Sequence, residues 1–541
     1  MKILTAEQMR AVDQLTTANY NMPSLLLMEN AAARTVEAIE KKFGAMDGRR
    51  ALVICGKGNN GGDGAAVARL LTVKGAAVDV LLLGRVDEAR GDARSNFEVI
   101  RALAVSSAHA RFVEIESLEQ LRSAATRNRP DIVIDAIFGT GLARPAAGWF
   151  ADTIELINSL GEGVPVVAVD VPSGVASDAA ELIGPAVRAH LTVTFTAPKI
   201  ANILPPACEA SGELVVGHIG SPDELIAACG SQLNLVEEKD VDVWLQASRR
   251  SSQANKGDAG KVLVVAGSRG KTGAACMVGE AALRAGAGLV TIATPESSQP
   301  VVAARVIAEC MTEPLAETTL GAVSREAAER AIELATARDV VAMGPGLGAS
   351  EETTRAFVRS MVVQRERPMV LDADALNALV PWAENVAGSR AQPLILTPHP
   401  GEMARLTGKT ISDILHNRVE AAREFATLHG VILILKGSRT LIAAPDGEVY
   451  VNPTGNPGMA TGGTGDVLTG IIAGLLAQKR DEPLAATIAA VYLHGLAGDL
   501  AAARLGTRAM IATDIITHLG EAFIRVGGKA ERFQAGINQS T

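Results

Sequence analysis

Two glycine-rich stretches that each carry an aspartate are the parts of this chain best equipped for chemistry. The first is Gly56-Lys57-Gly58-Asn59-Asn60-Gly61-Gly62-Asp63-Gly64. Gly56, Gly58 and Gly61 keep the GxGxxG spacing that brings backbone close to a pyrophosphate at a helix N-terminus. The acid that should close the next strand and hold the ribose hydroxyls is absent, because that segment ends Leu83-Gly84-Arg85, which weakens an NAD-dependent dehydrogenase reading. Asn59, Asn60 and Asp63 place oxygen atoms beside exposed amides, an arrangement able to hold a cation and a phosphate together. The alternating acids of an EF-hand do not follow. The second stretch runs from Asn456 through Gly462-Gly463-Thr464-Gly465-Asp466 to Gly470. Its glycines release amides into a concave nest, and a helix beginning near Asp466 aims its positive end at the same point. That is an anion hole for a phosphoryl group in transit, with Asp466 able to take the proton of an attacking hydroxyl.

Other polar groups close apolar runs. Asp135 opens Asp135-Ala136-Ile137-Phe138-Gly139-Thr140-Gly141-Leu142, and Asp170 lies in Val169-Asp170-Val171-Pro172-Ser173-Gly174. A carboxylate at the end of a buried strand is unfavourable unless it binds something, so both read as functional. Lys199 ends a further run, where a solvated lysine is the simpler reading of that residue alone. Later in the chain, Gly344-Pro345-Gly346-Leu347-Gly348 permits close backbone approach. Asp372 and Asp374 bring two acids to a cleft, and His399 and Glu402 form a polar edge. Lys436-Gly437-Ser438-Arg439-Thr440 offers a cation and amides to a nucleotide phosphate. The stretch Gly267-Ser268-Arg269-Gly270-Lys271-Thr272 imitates a P-loop, but Val265 stands where the first glycine belongs, and the P-loop reading is rejected.

Placing these groups requires strands alternating with helices. Apolar runs at 51–55, 78–83, 131–135, 164–170 and 191–196 recur at 261–266, 289–293, 340–343, 369–372, 394–397 and 431–435. They are continuous rather than alternating, as in parallel strands buried on both faces. Helical patterns fall at 64–74, 274–285, 325–335, 351–364 and 418–429. The expected fold class is α/β, with two tandem domains over 1–224 and 225–526, a charge-mixed connection around 221–258, and a polar tail at 527–541. At roughly 150 residues per domain, 541 residues allow two to four. With 53 glycines but only 10 Phe, 3 Trp and 3 Tyr, the core must be built of small aliphatic side chains. A net charge of −9 and the shortage of aromatics argue against nucleic-acid binding. The five cysteines are scattered without CxxC spacing, which excludes a disulfide scaffold or zinc ribbon and suits a cytoplasmic protein. The N-terminus does not read as a signal peptide, and apolar segments such as 467–477 read as too short to cross a bilayer, so no membrane partner is expected.

The motifs GNNGGDG, DAIFGTGL, VDVPSG and TFTAPK resemble the NAD(P)H-hydrate epimerases over about residues 1–220. That resemblance implies a Rossmann-like α/β sandwich. It implies a potassium site using Asn60, Asp135 and Ser173. Hydrate contacts would come from Asn59, Asn60, Gly61, Gly62 and Asp63, from Gly139, Thr140, Gly141, Leu142, Ala143, Arg144 and Pro145, and from Asp170. Asp170 would be the acid–base group, with Lys199 a second candidate. The motifs GPGLG, DADALN, TPHPGE, LKG and GNPGMATGGTGDVLTG resemble the ribokinase-like superfamily, and within it the ADP-dependent NAD(P)H-hydrate dehydratases, over about residues 230–525. Implied hydrate contacts are Ala274, Gly346, His399 and Asp466. Implied nucleotide contacts are Lys436, Gly437, Ser438, Arg439, Thr440 and Gly465, and Glu402 occupies the place of a magnesium-associated acid. One departure is the absence of an aromatic residue before Gly273-Ala274.

Together the two resemblances imply repair of hydrated NADH and NADPH. One domain would epimerise the hydrate at C6. The other would phosphorylate the C6 hydroxyl from ADP with Mg2+, with Asp466 as base, and eliminate phosphate to leave NAD(P)H and AMP. The implied partners are NADHX, NADPHX and ADP, in a homo-oligomer. From the residues alone, a hydroxymethylpyrimidine-type kinase fused to a non-catalytic dinucleotide-binding module stays open. Its product would be a phosphorylated alcohol instead of free phosphate and NADH.

Overall fold

The computed structural model describes residues 1–383 and 385–527. They form two compact units that divide after Leu233, eight or nine residues later than the expected boundary near 225. Beyond Gly527, the expected polar tail lies outside the described residues.

In the first unit seven parallel strands form one sheet. Their spatial order is Ala110–Ile115, Ala77–Leu83, Arg50–Cys55, Ile132–Ala136, Val166–Val169, Leu191–Phe195 and Glu213–Gly217. The chain winds outward in both directions from Arg50–Cys55 and Ile132–Ala136, so a crevice opens beyond the C-terminal ends of that pair. Ile54 is in register with Asp135, which puts the first glycine-rich stretch beside the Asp135 loop. The two strands that continuous apolar runs fail to mark, Ala110–Ile115 and Glu213–Gly217, are the two edges of the sheet. An edge strand is half covered and carries polar residues such as Arg111 and Glu114.

The helix expected from residue 64 begins earlier, at Asn59, and extends to Val73. Asn59 and Asn60 therefore occupy its first turn and Asp63 the start of its second, not a loop. The tight entry depends on glycine, since a Cβ on Gly61 would lie 1.8 Å from the Gly56 carbonyl oxygen.

The second unit is built on a ten-stranded sheet. Seven strands are parallel: Cys310–Leu315, Leu289–Pro295, Lys261–Val265, Val340–Met343, Met369–Leu371, Leu394–Leu396 and Ile432–Leu435. Leu441–Ala443 and Val449–Val451 continue it antiparallel, and Leu233–Leu235 closes that edge. These short outer strands and Cys310–Leu315 lack the long apolar runs by which the interior strands are legible. The stretch expected to be a connection holds a helix, Glu238–Ala247, whose Val241 and Trp244 are buried in the core of this unit.

Helices Thr272–Arg284 and Thr464–Gln478 pack closely because glycines face backbone. A Cβ on Gly470 or Gly474 would lie 2.4 Å from the carbonyl oxygen of Val278 or Ala282. The helix Pro483–Leu505 corrects the expectation about apolar length: its 23 residues are long and apolar enough to cross a bilayer. Most of its apolar window is buried against the other helices of the unit, as in a core helix.

Candidate active sites

The crevice of the first unit holds a cavity of about 920 Å³, lined among others by Asn60, Asp63, Gly139, Asp170 and Lys199. Strand Val166–Val169 delivers Asp170, whose φ of 67° is a left-handed conformation that aspartate tolerates better than bulkier residues. Its Oδ1 accepts from Lys199 Nζ at 2.7 Å and from Thr194 Oγ1 at 3.1 Å. Lys199 is only 1 % exposed, and its Nζ also donates to Thr194 Oγ1 at 2.8 Å and to the Phe195 carbonyl at 3.2 Å. The solvated lysine that the sequence allows is in fact a buried ammonium paired with a carboxylate inside the cavity.

Asp135 is fully buried behind this cavity. Its Oδ1 accepts from Ser173 Oγ at 2.6 Å and its Oδ2 from the Ser173 N–H at 2.8 Å. Burial pushes its carboxyl up to about 6, against the pull of the Ser173 hydrogen bonds and the Ile137 N–H. Both polar atoms of the Asn60 amide are buried without a hydrogen-bond partner. The segment 137–139 joins these groups: the Phe138 N–H donates to Ser173 Oγ at 2.9 Å, and a Cβ on Gly139 would meet Asn60 Cγ at 3.3 Å and Asp170 Oδ2 at 3.2 Å. A buried carboxyl served only by neutral donors, near an amide oxygen with no donor, is a set that a monovalent cation would satisfy.

In the second unit, Gly463 (φ 93°) precedes the helix Thr464–Gln478, and Asp466 lies in its first turn. Burial foremost, then the charge of Asp372, pushes Asp466 up to about 6, with Lys436 pulling the other way and Asp374 adding to the rise. Lys436 Nζ donates to Asp372 Oδ1 at 2.7 Å and lies 3.9 Å from Glu402 Oε2. Burial pulls the pKa of this lysine down, but the charges of Asp372 and Glu402 prevail and raise it. Burial likewise pulls the Asp372 carboxyl up. Lys436 and the hydroxyls of Thr397 and Thr469 hold it below the usual carboxylate range instead. A Cβ on Gly465 would lie 3.2 Å from Lys436 Nζ and 3.5 Å from Asp372 Oδ2, so the helix mouth sits directly over this pair.

Around that mouth, a Cβ on Gly346 would meet the Ala274 Cβ at 3.1 Å. Ser268 Oγ donates to the Gly346 carbonyl at 2.7 Å. Asp374 Oδ2 accepts from the Gly348 N–H at 2.8 Å and from Lys271 Nζ at 3.4 Å. The false P-loop thus helps to build the Gly344–Gly348 turn. Residues 436–440 form a closed turn in which Thr440 Oγ1 donates to the Gly437 carbonyl at 2.9 Å. Arg418 braces it through the carbonyls of Ser438 (2.9 Å) and Arg439 (3.2 Å).

Residues 24–201 match a family described as the YjeF-related protein N-terminus, and residues 262–520 match the NAD(P)H-hydrate dehydratase family. A bifunctional NAD(P)H-hydrate repair enzyme of Moorella thermoacetica is 44 % identical over 528 residues, covering 96 % of either chain. Its counterpart in Escherichia coli is 35 % identical, covering 87 % of this chain and 85 % of its own. The chain belongs to the family of bifunctional NAD(P)H-hydrate repair enzymes. A crystal structure of an ADP/ATP-dependent NAD(P)H-hydrate dehydratase from Bacillus subtilis, co-crystallised with ATP and Mg2+, aligns with 54 % of this chain and 98 % of its own at 33 % identity and a TM-score of 0.47.

Within the epimerase half, the cavity gathers Asn59, Asn60, Asp63, Asp170 and Lys199, together with Gly139, Thr140, Gly141 and Leu142. Gly61 and Gly62 are buried in packing, the latter against Ala93 and Met28, and do not line it. Ala143, Arg144 and Pro145 are exposed and also lie outside the lining. In the dehydratase half, His399 caps the helix Pro400–Thr407. Its Nδ1 accepts from the Gly401 N–H at 3.0 Å, and Glu402 Oε2 accepts from the His399 N–H at 2.8 Å. Glu402 thus has a capping role beside its approach to Lys436. Among the described residues no group of three or more His, Cys, Asp or Glu side chains suits a metal ion. Magnesium commonly takes one or two carboxylates, with phosphates and water for the rest.

Two residues outside the motifs brace the anion hole. His494 Nε2 contacts the Thr464 carbonyl at 3.1 Å, and burial foremost pushes it down to about 4, so the ring is neutral. Asp499 accepts from the Gly455 N–H at 3.0 Å and from Asn456 Nδ2 at 2.9 Å. Both stand in the apolar helix Pro483–Leu505, where an isolated polar residue is itself a signal.

Proposed function

We propose that the first unit interconverts the C6 epimers of hydrated NADH and NADPH, and that the second dehydrates one epimer at the expense of ADP. The observation that carries this reading is an acid–base centre in each unit. One is the buried Lys199–Asp170 pair, and the other is Asp466 over the Lys436–Asp372 pair.

In the first unit, Asp170 exchanges a proton with the substrate as C6 loses and regains its configuration, while Lys199 fixes the carboxylate. Asn60, Asp135 and Ser173 fit a potassium ion. Such an ion supplies positive charge that offsets the buried carboxyl of Asp135 and attracts anionic parts of the dinucleotide.

In the second unit, Asp466 takes the proton of the C6 hydroxyl as that oxygen attacks the terminal phosphorus of ADP. The amides at Gly463–Gly465 hold the phosphoryl oxygens, and Lys436 neutralises charge beside them. Residues 436–440 receive the nucleotide, and the Gly346–Ala274 wall with His399 receives the hydrate. Glu402 would attend a magnesium ion brought in with the nucleotide, and such an ion would supply further charge neutralisation. Phosphate then leaves from C6, pushed by the N1 lone pair, and loss of a C5 proton restores the dihydronicotinamide. A step specific for one epimer explains why an epimerase shares the chain.

The test supplies both NADHX epimers to the protein and follows NADH with and without ADP. Complete recovery is expected with ADP and none without it. Recovery that stops at the share of one epimer overturns the epimerase assignment. A stable phosphorylated alcohol, formed without NADH, overturns the dehydratase assignment.

A further inference from the structure

The helix Ala6–Tyr20 lies ahead of residue 24, where the family match of the first half begins, yet one of its faces lines the cavity. Met9, Asp13 and Thr17 follow one another at four-residue spacing along that face, with Arg10 and Gln14 beside them. The helix is fixed to the site at its start. The Leu4 N–H donates to the Pro198 carbonyl at 3.0 Å, next to Lys199, and the Ala6 N–H donates to Asp178 Oδ1 at 2.7 Å. Leu4, Met9 and Val12 pack with Ala197 in one apolar cluster.

Asp13 Oδ1 is buried and has no hydrogen-bond partner. Burial pushes this carboxyl up to about 6, with the charge of Lys199 opposing and that of Asp170 adding. Asp63, from the helix Asn59–Val73, faces the same group and is itself raised by burial and by Asp170 and Asp13. Arg10 is the charged neighbour on Asp13's own helix. A buried, unmatched carboxyl oxygen in a cavity that already holds an acid–base pair has a use when substrate arrives.

We propose that Asp13 is the second acid–base group of the epimerase centre, complementary in role to Asp170. This rests on the reading of the first unit given above. Inversion at C6 by exchange of its hydroxyl needs one proton given and one taken. Protonated Asp13 gives its proton to the C6 hydroxyl, the C6–O bond breaks with its electron pair leaving on water, and the N1 lone pair forms N1=C6. Water then adds to the opposite face of C6, the N1=C6 pair returns to N1, and the surplus proton of that water passes to Asp170. Conversion of the other epimer runs in reverse and resets both carboxyls. Inversion by ring opening uses the same two groups: Asp170 takes the hydroxyl proton and Asp13 protonates N1 as the C6–N1 bond breaks.

The test uses the full chain carrying Asp13→Asn and Asp13→Glu. Epimer exchange of NADHX is followed without ADP, dehydration of the S epimer with ADP, and thermal stability alongside. For Asp13→Asn, the kcat of exchange is expected to fall roughly 100-fold with KM changed less than about threefold, while dehydration is retained. Tm is expected to hold or rise, because a buried unmatched carboxyl has been removed. Asp13→Glu should keep a measurable part of exchange. Exchange by Asp13→Asn within about threefold of the unaltered chain overturns the proposal. So does a loss that tracks a lowered Tm and a raised KM and that Asp13→Glu does not restore, which marks a merely structural residue. An unaltered chain that leaves the epimers unexchanged overturns the reading of the first unit, and this inference with it.

Discussion

At the residue scale, two aspartates of the second unit lie in contrasting surroundings. Asp372 is buried, yet Lys436 and two threonine hydroxyls keep it charged, so it holds a cation in place and is a poor base. Asp466, next to Gly465 at the same helix mouth, has its carboxyl pushed up to about 6 by burial and by Asp372. The base form of Asp466 predominates above that value and is lost as pH falls through it. Initial rates of S-epimer dehydration at saturating ADP are expected to fall about tenfold per pH unit below about 6. Asp466→Asn should lower the rate by about 10²–10⁴ at pH 7 and leave epimer exchange intact. Asp466 was legible in the sequence because a glycine nest and a helix start surround it. Lys199 is only a second candidate there, because nothing local reveals that its ammonium is buried on Asp170 from another strand end.

At the scale of elements, glycines set how closely the catalytic helices pack. Gly470 and Gly474 are one turn apart on the helix that begins with Asp466, and both face the backbone of Thr272–Arg284, which carries Ala274 near its start. Gly474→Ala would drive a methyl group to 2.4 Å from the Ala282 carbonyl oxygen. The expected loss is about 1–3 kcal/mol in denaturant unfolding of the second unit. An unchanged midpoint would mean that the helix pair separates without strain. Interior parallel strands were readable as continuous apolar runs, whereas edge strands such as Ala110–Ile115 were not, since their polar residues match no single period. The helix Asn59–Val73 starts about a turn ahead of the expected residue 64 for a related reason. Glycine and asparagine read as loop residues, but close packing against the Gly56 carbonyl makes them helical here.

At the scale of the whole molecule, the reacting groups proposed for each step lie within one unit, so the two activities should be separable. Chains carrying Asp170→Asn are expected to lose epimer exchange, and chains carrying Asp466→Asn to dehydrate about 10²–10⁴ times more slowly. Mixed in equal amounts with ADP and both NADHX epimers, they are expected to recover all the NADH, since the epimer made by one chain diffuses to the other. Recovery limited to the S share in the mixture, with full recovery by the unaltered chain, would show instead that the two steps must occur in one chain.

The sequence by itself determined the α/β class, the interior strands, the family and most of the motif aspartates. These depend on local composition and on glycine spacing, which are written along the chain. Tertiary structure decided which charges meet, Lys199 with Asp170 and Lys436 with Asp372, and brought Asp13 into the cavity that the first pair lines. It also decided where the units divide and that the most apolar long helix is core. Burial and long-range pairing arise only when distant segments pack. The same lysine or aspartate can be a solvated surface group or a buried acid–base group, and only the fold distinguishes them.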